Sequence, residues 1–525
     1  MKSKNLEVYS NVPGFEKAVI GELPDRWANI FGDKTAITDS KGEKSYRELA
    51  DDCIETERRL RAYGIKKDTI VALQIINRIC FAEILFALFR IGAVPVMILP
   101  AFREDEIIRI MKKTGAAVYI GPVEYAGFRY EIIGKEIRTQ IPGAVTVLVE
   151  EECPVPDAGK EEMTSAREGQ GPEYDDVALL LLSGGTTGTP KLIPRTHADY
   201  IYNAKKTAER ACLNTDTVYL AALPIAHNLT LACPGLLGTL CAGGRVVLCC
   251  YPSPDEILAL IEEEGVTITA LVPTVAQLCM DLMDAEEYDI SSLEVIITGG
   301  ARLEQKVASG IREKFDCTIQ NQYGTAEGLI MSTSLNDPVE WTLNCQGRPV
   351  SEADDIRIVD EEGRELEAGE SGELIVKGLY TIESYFREPD QEEKFTRQGY
   401  YRTGDRAVIT PEGNVRVLGR MQEQINRAGE KILPEEIEKN LLELEEIRQV
   451  KVIAVPDPLL GQRSCAFIQF AEGRELSKNE IVRRLNEMGI VQYKIPGQIQ
   501  KIGKWPVTKI GKIDIQALRE MAAGS

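Results

Sequence analysis

The run Val177-Ala178-Leu179-Leu180-Leu181 has no polar side chain and passes straight into Leu182-Ser183-Gly184-Gly185-Thr186-Thr187-Gly188-Thr189-Pro190-Lys191. An apolar run of this length fits a strand buried on both faces. The nine residues from Ser183 to Lys191 hold three glycines and four hydroxyl side chains, which cannot build a core. They can present backbone N–H groups and hydroxyls to an anion, because glycine tolerates positive φ and lets phosphate oxygens approach closely. Lys191 adds a point charge that suits polyphosphate. No Gly-x-x-x-x-Gly-Lys-Ser/Thr spacing fits here, so the stretch is not a Walker A loop.

Strand and helix patterns alternate on both sides of this loop. Ser45 with Glu48 three residues on marks a helix start, and the spacing predicts a helix over 46–63 and a strand over 69–75. A helix over 79–92 and a strand over 94–98 follow. Beyond the loop the expected order is strand 217–222, helix 231–241, strand 245–250, helix 255–264, strand 270–273 and strand 295–298. This alternation implies βαβ units, a mostly parallel sheet and an α/β fold. Past Trp341 short β segments with turn signals take over, as in Asp360-Glu361-Glu362-Gly363. We expect a large domain over 1–419 and a small α+β domain over 420–525, with helices near 435–444 and 478–488 and a strand near 449–455.

At 525 residues the chain is too long for one core. Its net charge of −21 argues against nucleic-acid and anionic-membrane surfaces, which require basic patches. The greasiest stretch, 84–99, is broken by Arg90, Gly92 and Pro95, so it reads as a buried helix followed by a strand rather than a membrane span. The first residues lack a signal-peptide h-region. The twelve cysteines form no C-x-x-C pair and read as reduced core residues. The expected location is cytoplasmic.

The full string Ser183 to Lys191 resembles the phosphate loop of the adenylate-forming (acyl-activating) enzymes, and four further segments resemble motifs of that family in the family's order. One is Asn321-Gln322-Tyr323-Gly324-Thr325-Ala326-Glu327-Gly328. The resemblance implies that Tyr323 stacks on adenine and that Glu327 helps hold Mg²⁺, as a hard cation favours carboxylate and phosphate oxygens. Ala326 stands where the family usually has threonine, so a hydroxyl contact to phosphate falls to another residue such as Thr325. In Tyr401-Arg402-Thr403-Gly404-Asp405, Asp405 would accept from the ribose hydroxyls. In the segment from Gly419 to Lys431, Arg420 would contact ribose or phosphate, Gln422 would be the hinge of a mobile lid, and Gly429 would approach the acyl group in a later thioester step. In Pro506-Val507-Thr508-Lys509-Ile510-Gly511-Lys512, Lys512 matches the catalytic lysine. The nucleotide site implied in this way comprises Ser183, Gly184, Gly185, Thr186, Thr187, Gly188, Lys191, Gly300, Ala301, Gln322, Tyr323, Gly324, Thr325, Glu327, Asp405 and Arg420. The implied architecture is a large N-terminal domain of stacked α/β sheets with a distorted β subdomain, plus the lid.

These residue types suit activation of a carboxylic acid by ATP. Attack of a carboxylate on the α-phosphate brings two anions together, so positioning and electrostatic stabilisation carry the reaction. Lys512 would neutralise charge between them, and the loop with Mg²⁺ would hold the departing pyrophosphate.

The segment Pro224-Ile225-Ala226-His227-Asn228-Leu229-Thr230-Leu231-Ala232-Cys233-Pro234-Gly235 resembles the branch that activates 2,3-dihydroxybenzoate and salicylate for siderophores. The resemblance implies an aryl-acid site of His227, Asn228, Leu229, Cys233, Gly299, Gly300 and Ile330, with His227 near the carboxylate and Asn228 reading the ortho hydroxyl. The chain has two histidines; for His197, in Pro194-Arg195-Thr196-His197, a structural role is expected. A serine at position 233 could satisfy a buried 3-hydroxyl, whereas the Cys233 thiol is a weak partner and favours salicylate. Leu229 stands where an aromatic is usual, which leaves heteroaryl and other substituted benzoates open. The second step would load the aryl group on the phosphopantetheine thiol of a separate aryl carrier protein. Coenzyme A as acceptor, 2,3-dihydroxybenzoate as acid and a silent binding protein on the same fold are the alternatives. The motifs are compatible with either thiol acceptor.

Overall fold

A computed structural model describes residues 6–150, 155–157, 171–183, 190–388, 391–421, 425–427, 430–457, 461–488, 490, 494–508 and 512–523. The chain divides into two compact units. One comprises residues 1–355 and 376–401, and the other 356–375 and 402–525.

The larger unit is mixed α/β and holds two large sheets. The six-stranded sheet has the order Leu192–Thr196, Val177–Leu182, Val94–Met97, Ile70–Leu73, Val118–Pro122, Val145–Val149. Its pairs are parallel except for the hairpin of Val177–Leu182 with Leu192–Thr196. Continuous apolar runs such as Ile70-Val71-Ala72-Leu73 make these strands, because helices cover both faces of a parallel sheet. The nine-stranded sheet has the order Arg348–Pro349, Ile330–Ser332, Thr318–Gly324, Val295–Thr298, Ile268–Leu271, Val218–Ala221, Arg245–Leu248, Thr35–Asp39, Gly42–Ser45. It is parallel from Thr318–Gly324 through Thr35–Asp39. Helices leaving one sheet meet helices of the other: Tyr46–Ala62 packs on Ile79–Ile91, and His197–Arg210 packs on Gly235–Ala242.

The helix at 46 starts as the pattern predicts. Ser45 Oγ accepts the Glu48 N–H while the Glu48 carboxylate accepts the Ser45 N–H. The stretch 84–99 is a buried helix end followed by a buried strand, and no helix among the described residues is long and apolar enough to cross a membrane. Two expected elements differ. The single helix over 231–241 is instead Asn228–Ala232 and Gly235–Ala242, interrupted at the cis Cys233–Pro234 bond. Pro234 has no N–H to continue the first helix. The strand expected over 270–273 is Ile268–Leu271, because Pro273 opens the helix Pro273–Met283, where its fixed φ suits the first turn.

The smaller unit is α+β. Asp355–Val359, Ser371–Lys377, Tyr401–Ile409 and Val415–Arg420 form a four-stranded sheet whose last pair is antiparallel. A second sheet is built on the long hairpin of Ile447–Asp457 with Gly461–Phe470. The helices Pro434–Leu442 and Lys478–Glu487 add Ile437, Leu441, Ile481 and Leu485 to its core.

Candidate active site

In the larger unit most of the described predicted residues follow the carboxyl ends of strands of the nine-stranded sheet, whereas Ser183 and Lys191 belong to the hairpin of the six-stranded sheet. Parallel strands end on the same side, and in open α/β sheets ligands bind beyond those carboxyl ends. Strand Val218–Ala221 leads to 224–235, strand Val295–Thr298 to Gly299-Gly300-Ala301, and strand Thr318–Gly324 ends in Gln322, Tyr323 and Gly324. Thr298 pairs with Asn321, so the last two segments leave side by side. Gly299 lies where a Cβ would stand 3.2 Å from the Gln322 carbonyl oxygen and 3.7 Å from Leu229 Cδ2. Segments 224–235 and 321–328 are thus in reach of one another. Gly300 takes φ +76, a left-handed conformation open to glycine. Ile330 pairs with Gly324 across the next strand and is buried.

Glu327 sits in the turn after Gly324, where the Thr325 N–H donates to the Leu329 carbonyl. Its carboxylate is buried and accepts from the Tyr385 hydroxyl at 2.9 Å; that hydroxyl also lies 3.4 Å from the Tyr401 hydroxyl. Burial, then the Glu327 charge, raises the pKa of both tyrosines, so they stay protonated and can donate. Lys191 Nζ lies 4.6 Å from the centre of the Tyr385 ring. One tyrosine therefore joins the lysine of the phosphate loop to the proposed metal carboxylate. Sequence reasoning missed Tyr385 and Tyr401 as site residues; no local spacing marks them.

Ser183 and Lys191, at the two ends of the hairpin connection, are pinned together: the Ser183 N–H donates to the Lys191 carbonyl at 3.0 Å and the Lys191 N–H to Ser183 Oγ at 2.9 Å. Gly184, Gly185, Thr186, Thr187 and Gly188 lie outside the described residues, as do Gln422 and Gly429.

The 224–235 segment is anchored by a residue the sequence did not single out. The Asn77 amide donates to the carbonyls of Ala221 and Leu223 and accepts the Ile225 N–H. His227 caps the short helix Asn228–Ala232, its Nδ1 accepting the Leu229 N–H at 3.2 Å. The neutral ring therefore carries its proton on Nε2. Asn228 bonds the Tyr200 hydroxyl and the Cys233 thiol. Burial pushes the Cys233 thiol up to about 11, so it is un-ionised at neutral pH. His197 is fully buried, its Nδ1 accepts the Ile20 N–H, and its ring packs edge-on against Phe89. Burial lowers its pKa to about 3; it is a neutral core residue.

In the smaller unit Asp405 and Arg420 are opposite one another on paired strands, with Arg420 Nε 3.1 Å from the buried carboxylate. The Thr403 hydroxyl receives the Asp405 N–H, and Arg420 also donates to the Thr403 carbonyl. Lys512 belongs to the same cluster. It is exposed overall. The desolvation it nevertheless feels, then the nearby Arg420 guanidinium, lowers its pKa from the usual lysine value, while Asp405 pulls it up.

A nucleotide suits the larger unit's donor set. Gln322 Oε1 and Thr325 Oγ1 are buried without a hydrogen-bond partner in the protein, a state that costs about 1–3 kcal/mol unless a ligand relieves it. No group of three or more His, Cys, Asp or Glu side chains among the described residues could hold a metal. Mg²⁺ needs no such cage, since one carboxylate with phosphate oxygens and water suffices. The clefts of about 440 and 310 Å³ around Lys206 and Glu352 share no residue with this site.

A family model described as AMP-binding enzyme matches residues 24–386, and one described as AMP-binding enzyme C-terminal domain matches 436–512. The chain is 42% identical over 505 residues to the 2,3-dihydroxybenzoate-AMP ligase of Bacillus subtilis, covering 95% of this chain and 92% of that protein. It is 38% identical over 511 residues to the salicyl-AMP ligase / salicyl-S-ArCP synthetase of Mycobacterium tuberculosis, covering 95% and 89%. Among solved structures, apo MbtA of Mycobacterium smegmatis is similar with a TM-score of 0.73 at 34% identity, over 98% of this chain and 97% of that one.

Proposed function

The chain belongs to the AMP-binding enzymes, and on that premise we propose that it is an aryl-acid adenylating ligase. It uses Mg·ATP to convert salicylate or a related aryl acid to the aryl adenylate, then passes the aryl group to the phosphopantetheine thiol of a separate carrier protein in siderophore or related peptide synthesis. The observation that supports this reading is the closeness of Leu229 and Gln322 around Gly299, where an added Cβ would stand 3.7 Å from the one and 3.2 Å from the other, so that segments 224–235 and 321–328 lie within reach of each other. The relatives named above, which act on 2,3-dihydroxybenzoate and salicylate by name, support it.

In this reading Ser183, Lys191 and Thr325, with loop residues Gly184 to Gly188, bind the phosphates. Gly300, Ala301, Gln322, Tyr323 and Gly324 hold the adenine end, and Asp405 with Arg420 the ribose. Glu327, oriented by Tyr385, would hold Mg²⁺, which when bound supplies positive charge against the departing pyrophosphate. Lys512 would supply its ammonium against the charge that builds up between carboxylate and α-phosphate. The adenylate P–O bond forms as the bond to pyrophosphate breaks, and no proton moves. The thiol then gives up its proton to solvent and attacks the acyl carbon; the C–S bond forms as the acyl C–O bond to phosphate breaks, and AMP leaves.

Acid-dependent ATP–pyrophosphate exchange across a panel of aryl acids tests the reading. We expect salicylate ahead of 2,3-dihydroxybenzoate and benzoate; no exchange with any aryl acid would refute the substrate class. Cys233→Ser should raise the 2,3-dihydroxybenzoate-to-salicylate ratio about tenfold, since a buried hydroxyl can then pair with the 3-hydroxyl. An unchanged ratio removes Cys233 from the selection of the acid.

A further inference from the structure

The Asn228 amide is held from both sides. The Tyr200 hydroxyl lies 2.9 Å from Oδ1, and Nδ2 lies 3.3 Å from Cys233 Sγ. Tyr200 projects from the helix His197–Arg210 and is buried. Its ring is fixed from the other side by Arg195, whose guanidinium carbon lies 4.9 Å from the ring centre and whose Nε bonds the Asp199 carboxylate at 2.9 Å. Burial holds the Tyr200 pKa well above its ordinary value, so the phenol keeps its proton and can donate.

A phenol and a thiol can each donate or accept, so two orientations of the amide compete. In one, the stronger donor, O–H, meets the stronger acceptor, the amide oxygen, and the amide N–H meets sulfur. In the other, the weak S–H donor must serve the amide oxygen. The first pairing is the better one. Cys233 Sγ also accepts from Asn203 Nδ2 at 3.5 Å, which further commits the sulfur as an acceptor. An amide nitrogen carries two N–H groups; one is spent on Cys233, and the second is left for a ligand.

We propose that Tyr200 is the positioning residue that sets the polarity of the ortho-substituent reader. By engaging Oδ1 it turns an Asn228 N–H toward the acid, and the pocket takes an ortho group that accepts a hydrogen bond over one that donates. This rests on the reading of Asn228 given above. Salicylate directs its phenolic proton to its own carboxylate and offers oxygen lone pairs outward. Anthranilate delocalises its nitrogen lone pair into the ring and offers a second N–H outward, where it meets the N–H of Asn228. A buried donor facing a donor leaves both unsatisfied.

The test is kcat/KM in ATP–pyrophosphate exchange with salicylate, anthranilate and benzoate, for the wild type and Tyr200→Phe. The wild type should favour salicylate over anthranilate. Tyr200→Phe should cut that ratio about tenfold or more, as expected when a buried hydrogen-bond selection is lost, with benzoate nearly unchanged because it has no ortho group to read. An unchanged ratio, an equal fall for all three acids, or a wild type that favours anthranilate overturns the role. Cys233→Ala provides a second reading that does not depend on the folding of Tyr200→Phe. It leaves the hold on Oδ1 intact and should keep the ratio high; its collapse would assign the orientation to Cys233 instead. Absence of wild-type exchange with every aryl acid overturns the parent reading, whereas exchange with an unmoved ratio overturns the role of Tyr200 alone.

Discussion

Lys512→Ala should lower acid-dependent adenylation by about 100- to 1,000-fold, the usual loss when one preorganised charge-stabilising group is removed from a transition state. The fall should lie mainly in kcat, because the ammonium matters most as charge gathers between carboxylate and α-phosphate. The pH profile adds a second readout. Lysine is charged below its pKa, and Lys512 has a lowered one, through desolvation first and Arg420 second. Its charge is therefore lost on the alkaline side at a lower pH than for a free lysine, and adenylation should decline there. In Arg420→Ala the repulsion is gone, so the pKa rises and the alkaline limb moves to higher pH, whatever that change costs in ATP affinity. A single-turnover pH series on the three proteins measures both effects. An unmoved limb in Arg420→Ala would separate Lys512 from the titration, and normal adenylation by Lys512→Ala would remove it from catalysis.

Glu327→Gln should be comparably severe, at about 100-fold in exchange rate, equivalent to about 2.7 kcal/mol. The substitution is chosen for the local bonding. Tyr385 donates to Glu327 Oε1, and the glutamine Oε1 can accept the same bond, so the turn after Gly324 keeps its anchor. What is lost is the negative charge. The Mg²⁺ concentration for half-maximal exchange should rise sharply, and thermal stability should stay near that of the wild type. An unaltered Mg²⁺ requirement would show that the carboxylate serves the turn rather than the metal.

Local chemistry was legible in the sequence wherever one short segment decides the outcome. Ser45 and Glu48 cap each other because both partners lie within one turn. Ile70-Val71-Ala72-Leu73 needs no partner to read as a buried strand. The division of 228–242 into two short helices was also within reach, since Pro234 forbids the continuous helix that apolar periodicity suggests. Tyr385 and Asn77 were not legible. Tyr385 meets Glu327 from 58 positions away and Asn77 meets Ile225 from 148, distances set by sheet order and not by any spacing along the chain. Tyr200 lies three residues from His197, yet the side chain turned toward Asn228 is the tyrosine, and no spacing along the chain marks that contact.

The three hydrogen bonds of Asn77 have a bearing on how the range of acids can change. Asn77 follows the strand Ile70–Leu73 of one sheet, while the carbonyls and N–H it grips lie at the end of Val218–Ala221 of the other and just beyond it. The proposed recognition segment 224–235 is therefore not a portable cassette. Its base is written in a part of the chain nearly 150 residues upstream. Recombination that imports a new 224–235 stretch from a relative inherits a working specificity only when the recipient already supplies an asparagine at position 77. Substrate range in this scaffold should accordingly drift by single side chains such as Leu229 and Cys233, which can be exchanged while the foundation stays in place.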